Sequence, residues 1–111
     1  MQNVLTQVRV SVVKLSGHIN AANAEGFQQQ LLSALSAQPA AAVVVNMCDV
    51  ESLDSAGLMA LVSALTTAQQ SNQRFGLCNV PASIRIIFEL TQLDRVFEMF
   101  ESEDAFRVAL A

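Results

Sequence analysis

Ala42-Val43-Val44-Val45-Asn46-Met47-Cys48-Asp49-Val50-Glu51-Ser52-Leu53-Asp54-Ser55-Ala56-Gly57-Leu58 is the stretch that decides the fold. It opens on a continuous apolar run, Ala42 to Met47, centred on three valines. A β-branched run of that length predicts a strand buried on both faces, as in a parallel sheet. Cys48 to Ser52 is polar and predicts a loop. From Ser55 to Gln70 the apolar residues Leu58, Leu61, Val62 and Leu65 recur at helical spacing. Asp54 and Ser55 stand at the mouth of that helix, where either side chain can cap it, and Gly57 is read as a residue that lets the backbone turn.

The same alternation extends in both directions. Upstream, Val8 to Leu15 is a valine-rich strand whose apolar phase slips between Val12 and Val13, which predicts a bulge; a short N-terminal hairpin is the alternative. Gly17 is expected to end the strand. Asn20 to Ala37 predicts a helix with Ala24, Phe27, Leu31 and Leu35 on one stripe, stopped by Gln38-Pro39. Gly26 inside it weakens the helix by about 1 kcal/mol relative to alanine, and close packing on the sheet is the expected reason. Downstream, Arg74 to Val80 predicts a strand and Pro81 opens a helix over Ala82 to Gln92. Leu93 to Phe100 is short and irregular or extended, and Ser102 caps a last helix with Glu103 and Asp104 in its first turn.

Strands alternating with helices predict an α/β fold: one domain over residues 1–111, a mostly parallel mixed sheet of about four strands, right-handed βα crossovers, and helices packed on the sheet. A chain of 111 residues, 52% hydrophobic, suffices for one core.

Composition excludes several functions. The net charge is -4 and the six basic residues (Arg9, Lys14, Arg74, Arg85, Arg95, Arg107) are scattered, so direct nucleic-acid binding is not expected. Neither a signal peptide nor an apolar run of about 18 residues is visible, which predicts a cytoplasmic protein without membrane insertion. Cys48 and Cys78 lie in or beside apolar runs and read as buried free thiols. With a single histidine, His18, they lack metal-ligand spacing, so no metal or cofactor is expected. The acidic residues Asp49, Glu51 and Asp54 read as a solvated loop. No phosphate-cradling glycine loop or nucleophile elbow is present, and an enzyme is not expected. Ile86 and Leu90 form a second apolar face opposite Ile84 and Phe88, expected to lie under the C-terminal segment.

The order of motifs is more specific than any one of them. Gly17-His18-Ile19-Asn20, then Asp54-Ser55-Ala56-Gly57-Leu58 after an apolar strand, then Pro81 before a helix that runs to Leu90-Thr91-Gln92-Leu93, resembles the STAS family over nearly the whole chain. Asn20 stands where that family often has aspartate, and Gln92 where it often has glycine. The resemblance implies an anti-sigma-factor antagonist, a partner-switching protein rather than an enzyme. In such proteins the signature serine, here Ser55, is phosphorylated by an anti-sigma factor that is also a switch serine kinase, and a phosphatase reverses the step. Asp54, Ser55, Ala56, Gly57 and Asn20 are expected to form the partner-binding patch together with Met59, which enters by helix spacing and reads equally as a methionine at a core edge. Met59 follows Ser55 by one helical turn, off the core stripe. A constitutive STAS scaffold or transporter-associated subunit, working without phosphate, is the alternative; a small-ligand or nucleotide sensor has no pocket motif behind it.

Overall fold

The computed structural model describes residues 9–38 and 41–110. The chain alternates β1 (Val10–Ile19), α1 (Ala24–Ala37), β2 (Ala42–Leu53), α2 (Ser55–Gln70), β3 (Phe75–Cys78), α3 (Ala82–Leu90), a 3-10 turn at Leu93–Arg95, β4 (Glu98–Phe100) and α4 (Glu103–Leu110). The four strands form one sheet in the order β1-β2-β3-β4, and every neighbouring pair is parallel. No antiparallel pair occurs among the described residues, so the mixed character expected of the sheet is absent there. Val8 and the alternative hairpin lie outside the described residues.

Both faces of the sheet are apolar, for different reasons. Val13, Leu15, Val43, Val45, Met47, Phe75 and Leu77 face one side and meet Leu31 and Leu35 of α1, Leu61 and Leu65 of α2, and Ile84 and Phe88 of α3. Ala42, Val44 and Cys78 face the other side and meet Phe106 of α4, with Val10 and Phe100 at the margin. Gly76 makes room there: a Cβ on it would stand 2.8 Å from the Phe106 ring. Two-sided cover explains the valine phase slip in β1. Val10 belongs to the α4 side and Val13 and Leu15 to the other, so the slip marks no bulge.

The bulges lie further along, and on β2. Between Lys14↔Asn46 and Ser16↔Asp49, and again between Gly17↔Val50 and His18↔Ser52, β2 advances one residue more than β1. An extra residue per bulge re-aims the following side chains. Burial in β2 therefore recurs at Met47, Val50 and Leu53, every third residue instead of every second. That broken period is why Cys48 to Ser52 reads as a loop although it is strand. Gly17 does not end β1, which runs on to Ile19; it takes a φ of +78° within the bulged ribbon.

Several smaller expectations are corrected as well. Gly26 is exposed and a Cβ there would meet nothing within 4 Å, so sheet packing is not its reason. Cys78 is buried but Cys48 is exposed. Ile86 and Leu90 are not covered by the C-terminal segment; they are 51% and 80% exposed. Ser102 caps α4 as expected, its hydroxyl accepting the Ala105 N–H at 3.0 Å.

Candidate functional site

β1 and β2 carry the chain to the same end of the sheet, and the candidate residues collect there. After Leu53 the chain leaves β2, and Asp54 becomes the N-cap of α2. Its carboxylate does two jobs. Oδ1 accepts the Gly57 N–H at 3.0 Å, closing the first turn of the helix, and Oδ2 accepts the Ala21 N–H at 3.2 Å from the turn after β1. The Asp54 N–H meanwhile donates to the Ile19 carbonyl at 3.1 Å. Asp54 thus fastens the start of α2 to the end of β1.

The turn it grips is ordered by asparagines. The Asn20 side-chain oxygen accepts the Ala22 N–H at 2.9 Å. The Asn23 side chain accepts the Asn20 N–H at 2.9 Å and donates to the His18 carbonyl at 2.7 Å. These Asx interactions use Asn20 to Asn23 as a turn, so α1 starts at Ala24 rather than at Asn20. Asn20 keeps the hydrogen-bonding shape of an aspartate without its charge.

Ser55 is the first residue of α2 and exposed. Its hydroxyl has no hydrogen-bond partner among the described residues, unlike Ser52, which faces His18, and Ser63, which accepts from Gln28 at 3.0 Å. The Ser55 and Ala56 N–H groups likewise meet no acceptor among the described residues, as first-turn amides of a helix do. One turn on, Met59 is 60% exposed, whereas Leu58 and Leu61 on either side of it point into the core. Ala56 is half-buried.

Gly57 is different from the rest of the set. It is buried, and a Cβ on it would stand 2.6 Å from Leu53 Cδ1 and 2.7 Å from Ile19 Cγ2. It is helical, not a turn residue. Glycine is required because the helix lies directly on the end of β1, and this close contact sets where Ser55 sits.

The acidic residues do not form a cluster. Asp49 pairs with Lys14 at 3.2 Å, and that hydrogen bond holds its carboxyl below the ordinary carboxylate range. Glu51 lies 3.7 Å from His18 Nε2, and Asp54 is engaged by backbone amides. No three His, Cys, Asp or Glu side chains converge as a metal-binding group among the described residues, and no helix there is long and apolar enough to cross a membrane. The His18–Ser52 contact escaped the sequence because it depends on the β2 bulges. A signal for Gln92 was present: it adopts the left-handed region, φ 63°, at the position where the resemblance leads one to expect glycine.

Comparison with known proteins agrees with this geometry. The STAS domain family model matches residues 2–106. An anti-sigma factor antagonist from Mycobacterium paratuberculosis is 28% identical, with a TM-score of 0.80 over 91% of this chain and 85% of that one. The Bacillus cell-fate determinant SpoIIAA in its phosphorylated form is 18% identical, with a TM-score of 0.68 over 93% of each chain. The murine anion transporter solute carrier 26 member A9 is 18% identical, with a TM-score of 0.81 over 94% of this chain but only 18% of the transporter. A family match over almost the full length, joined to the capped Asp54-Ser55 helix start at the end of a parallel sheet, leads to one assignment: this chain belongs to the STAS domain family.

Proposed function

We propose that the chain is an anti-sigma-factor antagonist switched by phosphorylation of Ser55. Unphosphorylated, it binds an anti-sigma factor or switch serine kinase; phosphorylated, it is released, and a phosphatase restores binding. The observation that carries this reading is the exposed Ser55 hydroxyl on the first turn of α2, without a hydrogen-bond partner among the described residues and with Met59 open beside it. The similar antagonist from Mycobacterium paratuberculosis supports the class of partner.

The physics favours a switch at this position. A phosphate adds about -1.5 to -2 charge. The dipole and free amides of a helix start accommodate an anion, so the domain stays folded while its partner surface changes. Asp54 contributes by holding the helix start, and Asn20 by ordering the turn next to it. Ala56 and Met59 supply the contact surface around Ser55, and Gly57 acts from beneath.

Titration calorimetry against the partner kinase tests this. Ser55→Asp is expected to weaken binding more than about tenfold, because a charge at an interface centre must be desolvated. Ser55→Ala is expected to bind nearly as wild type, and Met59→Lys to weaken binding at the same patch. Equal affinities for the two Ser55 variants would instead support a constitutive STAS scaffold or transporter-associated subunit, the reading favoured by the likeness to the solute carrier 26 domain.

A further inference from the structure

The bulged ribbon of β1 and β2 brings together three side chains that the Ser55 switch does not use. His18 and Ser52 are register partners across the two strands. His18 Nδ1 lies 2.7 Å from Ser52 Oγ, and His18 Nε2 lies 3.7 Å from Glu51 Oε1. In the tautomer with its proton on Nε2, the nitrogen nearer the Glu51 carboxylate, Nδ1 carries a free lone pair. Nδ1 is then an acceptor, and the Ser52 hydroxyl donates to it. A serine hydroxyl donating to an oriented imidazole is the arrangement that activates a nucleophile. Both residues are exposed, so a kinase carrying ATP can reach them.

We propose that Ser52 is a second phosphoacceptor, with His18 as its built-in base. The proposal rests on the reading of Ser55 as a kinase substrate. Ser52 precedes Ser55 by three residues, so their Cα atoms lie within about 11 Å of each other, at the same end of the sheet. A kinase docked over the start of α2 presents its ATP to both. In the step, Ser52 Oγ attacks the γ-phosphorus of ATP and a new O–P bond forms. The bond between the γ-phosphorus and the β,γ-bridging oxygen breaks, ADP leaves, and the hydroxyl proton passes to His18 Nδ1. The imidazolium then faces the phosphoserine it helped to form, a charge-assisted pair that retains the group. Ser63 meets no such base among the described residues; its hydroxyl accepts from Gln28.

Phosphate mapping by mass spectrometry, after incubation with the partner kinase and magnesium ATP, decides the matter. Ser55→Ala is expected to retain phosphate on Ser52, and Ser55→Ala with Ser52→Ala to lose it. His18→Gln keeps a hydrogen-bonding side chain across the strands but is no base. It is expected to slow Ser52 phosphorylation at least about tenfold, with Ser55 phosphorylation and thermal midpoint unchanged. Phosphate on Ser55 with none on Ser52, or an Ser52 rate indifferent to His18→Gln, overturns this proposal alone. No phosphate on either residue overturns it together with the Ser55 switch.

Discussion

Two glycines, similar in sequence, are expected to answer an added methyl group in opposite directions. At Gly57 the new Cβ would stand 2.6 Å from Leu53 Cδ1, 2.7 Å from Ile19 Cγ2 and 3.1 Å from the Ile19 carbonyl oxygen. The leucine methyl can rotate away. The isoleucine branch is stiff, and its carbonyl is engaged by the Asp54 N–H at 3.1 Å. The start of α2 must therefore lift from β1. Overpacking of this kind costs about 1–3 kcal/mol. Alanine returns up to about 1 kcal/mol of helix propensity, leaving Gly57→Ala less stable by up to about 2 kcal/mol. At Gly26 a Cβ meets nothing within 4 Å, so Gly26→Ala keeps the propensity gain and is more stable by up to about 1 kcal/mol. Urea unfolding reads both. With a slope of roughly 1–3 kcal/mol per molar, the two midpoints should differ by about 1 M, with wild type between them. A Gly57→Ala midpoint at or above wild type, with the slope unchanged, would refute the argument that α2 rests on β1 through that glycine.

Gln92 occupies the left-handed region at the end of α3. Left-handed backbone is disfavoured by about 1–2 kcal/mol in residues with a Cβ, so Gln92→Gly should stabilise by about 0.5–1 kcal/mol, read as a rise in thermal midpoint of a few degrees. The two thiols should separate in a disulfide-exchange titration with Ellman's reagent. Cys48 is exposed and reacts in the native state at pH 8. Burial pushes the Cys78 thiol up to about 11, with smaller contributions from Glu103 and Cys48, so it should react only after denaturant is added. Two equivalents titrating at the same rate in the native protein would contradict its burial.

The alternation of strands and helices, the span of α2 from Ser55 to Gln70, and the cap at Ser102 were legible in the sequence, which left the α2 cap open between Asp54 and Ser55. Each depends on residues adjacent along the chain: a β-branched run, a 3.6-residue stripe, an oxygen placed before a helix. Ser55 as a switch site was singled out by the family resemblance of Asp54-Ser55-Ala56-Gly57-Leu58, and it stands as a proposal. What the tertiary structure alone decided depends on which strand faces which. The two extra residues of β2 break its alternation, so a local reading sees a loop where pairing with β1 maintains a strand. The purpose of a glycine is set by the atoms above it, which is why Gly57 takes the close-packing role expected of Gly26, while Gly26 packs against nothing. His18 and Ser52 meet across a sequence separation of 34 because of the register, and periodicity carries no information about register between strands. The sequence by itself determined the order of strands and helices and the cap of α4, since those arise from local backbone chemistry. Only the packed sheet decided the bulges, the seat of α2 and the exposed face around Ser55, since those arise from contacts between segments far apart in the chain.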